Sequence, residues 1–425
     1  MSNLVIIIVN IALSVILAVG LTPLWVWWER RIAGFIQDRS GPNRCNIGVF
    51  RLGGLIQSIA DMLKLIFKED FVPSHIKNKF FFAIAPVIVF FCSFLTFAVI
   101  PYADVFVYDG TSHTMQAIPN HLGIMWFIAF AGLSVYGIIL GGYSSGNKYG
   151  LLGSIRASAQ VISYEVAMGL AIISMIISYG SIHLTDMVNA QAGTYLGVIP
   201  MWGVFIQPIA AIIFIVCAFA ETNRAPFDLA EGESEIVAGY HTEYSAMKFG
   251  LFQVGEYAAM SASSAIIVTL FFGGYQIPWM DTATIKANIN YVILAILIVL
   301  PILVYLFTGW MKKNNKAIGN DKSREKETKI LTVIFWALAI GISALLISFL
   351  TTGLGENGIN IVTAALQIGT FLIKFFMMAF VFMWVRWTVL RFRYDQLQML
   401  GWKILIPLAL LNIVVTAIFV VVKGS

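Results

Sequence analysis

The chain has 425 residues, of which 59% are hydrophobic and 12% charged, and its mean hydropathy is +0.85. An ordinary soluble domain is roughly a quarter charged, so this composition excludes a soluble enzyme or solvated binding module and points to a polytopic membrane protein. In such a chain the net charge of +5 reflects Lys and Arg gathered on one face of the bilayer, and nucleic acid is not an expected partner.

The predicted fold class is all-α. Ten apolar runs are long enough for a helix to cross a bilayer, which takes about 20 residues: near 4–28, 80–100, 120–142, 159–180, 200–220, 245–273, 289–310, 329–350, 366–390 and 402–422. The first run has no basic residue before it and no small-residue cleavage pattern after it, so it reads as a retained span. Of the 27 Lys and Arg, all but Lys286, Lys423 and the intramembrane Lys374 fall near one face. That bias places both termini outside and the connections 29–79, 143–158, 221–244, 311–328 and 391–401 inside. Cys45, Cys92 and Cys217 lack paired spacing, which suggests neither a disulfide framework nor a zinc or iron–sulfur site.

After the first span comes W-E-R-R-I-A-G-F-I-Q-D-R-S-G-P-N-R, densely basic, and then an amphipathic segment. Apolar residues at 55, 56, 59, 62, 63, 66 and 67 share one helical stripe, with Gln57, Asp61, Lys64 and Lys68 opposite. The segment is too short and polar to span. It reads either as an interfacial helix lying on the headgroups or as a lateral wall over an opening for an amphiphile.

Two carboxylates, Glu165 and Glu256, fall inside predicted spans. Both lie about 10 to 17 Å from the inner face at 1.5 Å per residue, a depth that suits proton carriers. A static ion pair with Arg156, Arg224 or Lys374 is the competing reading. Between these spans runs A-E-T-N-R-A-P-F-D-L-A-E-G-E-S-E-I-V-A-G-Y-H-T-E-Y, with Glu221, Asp228, Glu231, Glu233, Glu235 and Glu243. If the stretch is helical, Asp228, Glu231 and Glu235 share a face and raise one another's pKa. Asp228 and Glu231 also have the spacing of a capping box, a purely structural explanation for that pair. The linker 311–328 mixes charges and reads as a solvated loop. No hydrolytic triad, P-loop or metal-ligand set is present, and His113, His121 and His183 fall in outer connections.

Four blocks now carry a resemblance: E-R-R-I-A-G-F-I-Q-D-R-S-G-P-N-R at 29–44, I-A-D-M-L-K-L at 59–65, the acidic stretch extended through S-A-M-K-F to 249, and R-F-R-Y-D-Q-L at 391–397. In these the chain resembles the family of membrane subunits that includes mitochondrial subunit 1 of the proton-pumping NADH:quinone oxidoreductase, respiratory complex I. The likeness covers 1–275 and 365–425. It implies a subunit at the elbow between the redox arm and the membrane arm that forms much of the quinone chamber. Arg30, Arg39, Asp61 and Lys64 would border that chamber, with Arg224 and Phe227 lining its inner part. Glu221, Asp228, Glu231, Glu233, Glu235 and Glu243 would form a charged funnel, continued into the membrane by Glu256 and Glu165, while Arg391, Arg393 and Asp395 would face the redox arm. Quinone is then the substrate, no cofactor is bound directly, and FMN and iron–sulfur clusters belong to partner subunits. The implied partners are the quinone-site subunits of the redox arm, small membrane-arm subunits and lipid, in a bacterial cytoplasmic membrane rather than a mitochondrial one.

The chain departs from the family pattern in three places. About five additional residues, Cys45 and Arg51 among them, precede Leu55; Leu390 stands where proline is common; and 276–364 carries two spans beyond an eight-helix plan. The division is therefore 1–275 as core, 276–364 as an inserted hairpin and 365–425 as the last two core spans. Two other readings remain: a related membrane subunit of an energy-converting hydrogenase-type complex, and a free-standing cation/proton antiporter, which the lack of an internal inverted repeat disfavours. A purely structural anchor is opposed by Glu165 and Glu256.

Overall fold

The computed structural model describes residues 3–39, 41–48, 50–119, 121–195, 197, 199–230, 232, 237–314, 323–353 and 355–424. The first span is longer than its apolar run. Helix α1 (Asn3–Val15) continues through a wide turn at Ile16–Gly20 into α2 (Thr22–Ile36), so that one apolar rod reaches Ile36. The charges at 29–31 mark an end by hydropathy, but the helix passes them because Glu29 meets cations from elsewhere in the chain. Next, α3 (Leu55–Phe67) is the expected amphipathic helix. Its Met62, Leu63, Ile66 and Phe67 are exposed, whereas Asp61 turns toward α2. The apolar stripe thus faces away from the protein, as an interfacial helix requires.

The core spans follow as α4 (Lys79–Phe97), α5 (Gly123–Ser144) and α6 (Lys148–Tyr179). Asn147 caps α6, its side chain accepting from Tyr149 N, so the helix takes in much of the predicted inner connection 143–158. A short helix, α7 (Leu184–Ala190), was not anticipated. The run predicted at 200–220 is divided into α8 (Gly203–Ile206) and α9 (Pro208–Glu221), separated at Gln207, because Pro208 begins a new helix and has no N–H to continue the old one. Among the described residues nine helices are long and apolar enough to span, and the 14-residue α9 stands in the place of the tenth.

Helix α10 (Ala246–Phe271) is the axis of the bundle: 83% of its most apolar window is buried. Small residues at Ala258, Ser261, Ala262, Ser263, Ser264 and Ala265 let neighbours approach it closely. Val89 of α4 sits so near that a Cβ on Gly137 of α5 or Gly255 of α10 would come within 2.5 and 3.0 Å of it. By contrast, α12 (Ile289–Asn314) and α13 (Ser323–Thr352), entered through the short α11 (Thr282–Ala287), are 11% buried over the same kind of window. They lie against each other and meet the core mainly at their outer ends, where Ile289, Ile293 and Leu346 cluster with Ile359 and Val362. The chain closes with α14 (Glu356–Thr388), α15 (Tyr394–Met399) and α16 (Ile406–Gly424).

One departure from all-α architecture is a hairpin of β1 (Ala103–Tyr108) and β2 (Thr111–Met115). Asp109 and Gly110 turn it with φ of 48° and 77°, the backbone an Asp-Gly hairpin turn demands. It joins the first span to α14: Asn10 Nδ2 donates to Thr114 O, and Asn360 Nδ2 donates to Val107 O, both at 3.0 Å.

Candidate functional site

A polar centre lies where α2, α10, α14 and the turn after α9 meet. Glu29 is buried there, its Oε2 accepting from Arg224 Nη1 and from Tyr257 Oη at 3.0 Å each. Its Oε1 lies 2.7 Å from Arg386 Nη1. The Arg224 guanidinium also covers the Tyr257 ring at 4.0 Å, a cation–π contact away from water. Burial opposes the Arg224 charge, but Glu29, Tyr257 and Glu256 more than offset it and raise its pKa above the ordinary arginine value. Among the described residues the direct contacts set one carboxylate against two guanidiniums, with Glu256 a further electrostatic neighbour of Arg224. Arg224 Nε and Nη2 are buried donors with no acceptor among the described residues.

Arg224 is delivered by the turn that follows α9. Gln160 of α6 fixes this turn by donating through Nε2 to Ala220 O and Phe227 O, each at 2.8 Å. Phe227 is buried between Tyr164 and Phe392, with ring centroids 5.6 and 5.4 Å away, and Phe392 N donates to Pro226 O. The last inner connection is thereby attached to the acidic loop.

Where the loop is described it is not helical: residues 222–230, Asp228 included, are turns and irregular backbone. Glu231, Glu233 and Glu235, and with them the shared face and the capping box, lie outside the described residues. Glu221 ends α9, and its Oε2 is buried without a hydrogen-bond partner among the described residues; Glu165 is its electrostatic neighbour. The carboxylate of Glu165 packs on α5, where a Cβ on Gly132 would stand 2.5 Å from its Oε1. Glu256 accepts from Tyr240 Oη at 2.9 Å. Glu243 accepts from Asn147 Nδ2 at 2.8 Å, with His75 Nε2 4.0 Å from its other oxygen, and so joins the α6 cap. Lys374 makes no ion pair with these acids. Its Nζ donates to the carbonyls of Phe272, Gly274 and Gln276 at 2.7–3.0 Å, closing the outer end of α10. Arg156 lies over the Tyr394 ring at 5.6 Å.

Of the residues expected to border the chamber, Arg30 and Asp61 meet at 2.6 Å, and Gln57 Nε2 donates to the other Asp61 oxygen. Lys64 is exposed, and Asp61 pairs across to α2 rather than along its own helix. Arg39 is not drawn into this pair; it donates to Gln37 Oε1 at the surface. Arg393 and Asp395 pair with each other in the open, while Arg391 is half-buried. Glu29, Tyr257, Arg386 and Tyr240 were not singled out from sequence. The available signals were Glu29 at the head of E-R-R inside a helix and Tyr257 beside Glu256.

A cleft of about 700 Å³ opens between α2, α10 and α14 and is lined by Trp28, Trp202, Phe272, Phe376 and Met377, with Lys374 in its wall. It contains none of the carboxylates, and the Lys374 donors are already engaged. It has room for an apolar chain but offers a polar headgroup nothing. Among the described residues no group of three or more His, Cys, Asp or Glu is placed to hold a metal ion.

Fold and site together define a multi-pass membrane protein that gathers charged groups at one face and carries acids from there into its spans. Residues 8–315 and 329–417 match the sequence pattern described as NADH dehydrogenase, and the chain belongs to that family. A relative from Flavobacterium psychrophilum, named as a subunit of NADH-quinone oxidoreductase, is 39% identical over 414 residues, covering 97% of this chain and 95% of its own. The identically named subunit of Bdellovibrio bacteriovorus is 36% identical, covering 96% and 94%. In Rhodothermus marinus, NADH-quinone oxidoreductase subunit 8 is 39% identical, covering 96% and 95%. Coverage this complete takes in most of 276–364.

Proposed function

We propose that the protein, as a membrane subunit of a proton-translocating NADH-quinone oxidoreductase, binds the quinone headgroup at its inner face and couples quinone reduction to proton movement through its carboxylates. The observation that carries this reading is the Glu29–Arg224–Arg386–Tyr257 cluster, in which, among the described residues, two guanidiniums contact one carboxylate and two buried donors of Arg224 have no acceptor. An excess of fixed positive charge away from water stabilises an anion that forms there, as the reduction of a quinone requires. Glu256 already acts on Arg224 electrostatically, so a change of charge at the cluster alters the proton affinity of Glu256. Glu221 and Glu165, adjacent to each other, extend the acids into the membrane. Arg30, Asp61, Arg39 and Lys64 border the opening under α3, and Phe227 forms an apolar wall. Glu231, Glu233, Glu235, Glu243 and Asp228 make up the funnel.

In this reading quinone is the substrate, and electrons arrive from iron–sulfur clusters and FMN in partner subunits of the redox arm. The segments 1–275 and 365–425 form the working core, 276–364 an added hairpin, and the membrane is the bacterial cytoplasmic membrane. Glu256→Gln tests the coupling role, since Gln keeps the size and the bond from Tyr240 but cannot ionise. The variant complex is expected to assemble in normal amount and to lose quinone reduction and proton pumping together. Depleted complex with normal turnover per assembled complex would make Glu256 a scaffold residue instead.

A further inference from the structure

We infer that Glu327, on the extra hairpin, is a positioning residue for the amphipathic helix α3 and so for the side of the quinone opening; the functional half of this inference rests on the proposed function. Three consecutive residues before α3 have left-handed backbone: Leu52, Gly53 and Gly54, with φ of 46°, 62° and 96°. The turn they form directs successive N–H groups to one side, a concavity that binds an anionic oxygen. Glu327 Oε1 occupies it, accepting from Arg51 N at 3.1 Å and Leu52 N at 2.6 Å.

The carboxylate is built into the structure rather than resting on its surface. Glu327 is 2% exposed, although Glu325, Lys326 and Lys329 around it are exposed. From the opposite side the same turn is held by the first span, as Trp27 Nε1 and Arg31 Nε each donate to Gly53 O at 3.0 Å. Behind it, a Cβ on Gly54 would come within 2.0 Å of Pro42 O, so α3 starts hard against the preceding loop. Clamped between α2 and α13, the turn fixes where α3 begins, and two turns of helix later Asp61 meets Arg30.

The loop before Leu55 and the hairpin 276–364 thus act as one device: the loop supplies the N–H groups and the hairpin supplies the acceptor. Glu327 falls within 316–328, the stretch of the hairpin outside the family match. Among the described residues it pairs with no acid of the proposed relay. Its effect is on the fit of a long isoprenoid tail passing under α3, not on reduction of the headgroup.

The test uses the assembled complex. Glu327→Ala is expected to assemble and to speed hydrogen exchange at the Arg51 and Leu52 amides at least tenfold. It should raise KM several-fold for a long-tail quinone while leaving kcat and the short-tail KM within twofold. Glu327→Gln, which retains a carbonyl acceptor, should stay within twofold of the parent in KM. If Glu327→Ala reduces the amount of complex, Glu327→Asp, with its carboxylate withdrawn by one methylene, carries the same measurements. Unchanged exchange at 51–52 in the assembled variant overturns the clamp whatever the fate of the quinone assignment. Faster exchange with an unchanged long-tail KM, or an equal loss of kcat with every quinone, overturns its role at the opening.

Discussion

Glu29→Gln tests the centre of the site most directly, because it removes one charge and almost no volume. In the parent, Arg224, its side chain 2% exposed, is balanced by Glu29 at 3.0 Å. Without that carboxylate a buried guanidinium faces a second cation, and breaking a buried pair in this way costs about 3 to 5 kcal/mol. Arg386, with 29% of its side chain exposed, recovers hydration and adds at most about 1 kcal/mol. The Tyr257 hydroxyl keeps an acceptor in the Gln amide oxygen, so its contribution is largely retained. A loss of roughly 3 to 5 kcal/mol is a large part of the 5 to 15 kcal/mol that holds a typical domain, so assembled complex in the membrane should fall severalfold, as read on native gels. Removing the orphaned cation as well should recover much of the loss. Glu29→Gln with Arg224→Met is expected to assemble better than Glu29→Gln alone, with a coupling of at least about 1.5 kcal/mol across the cycle. Normal assembly of Glu29→Gln, or losses that simply add in the double variant, would falsify the account of Glu29 as the counter-charge of a buried cluster.

Asp61→Asn removes an Arg30 pair whose side chains are 46% and 34% exposed, worth about 0 to 1 kcal/mol; assembly should persist while quinone turnover drops, and normal turnover at every short-tail quinone concentration would remove Asp61 from the opening. Lys374→Met strips three carbonyls at the end of α10 of their donor, which should destabilise the complex by about 1 to 3 kcal/mol without changing turnover per assembled complex; a kinetic defect at normal stability would contradict the capping role. For topology, a cysteine placed at Ser323 should resist impermeant reagents applied to intact cells, and ready labelling there would overturn the orientation.

Much of the architecture is written locally. Hydropathy locates the apolar helices because water-to-lipid transfer acts on each segment by itself. The amphipathic period at 55–67 predicts α3 for the same reason, and Asp109-Gly110 between alternating segments is a local signal for the hairpin. Glu165 and Glu256 were legible as functional candidates because an acid within an apolar run is costly wherever it goes.

Partnership is what only the tertiary structure decided. Glu29 meets Arg224 and Tyr257 across 195 and 228 residues of chain, and no local period encodes that meeting. Lys374 looked from sequence like a cation awaiting an acid, yet it found the open carbonyls at the end of α10. Glu327 read as one charge in a solvated linker, and its burial depends on a left-handed turn at 52–54 belonging to another part of the chain. In each case the solvation cost of the group is a property of its own residue, whereas the group that offsets it is set by which helices come to lie side by side.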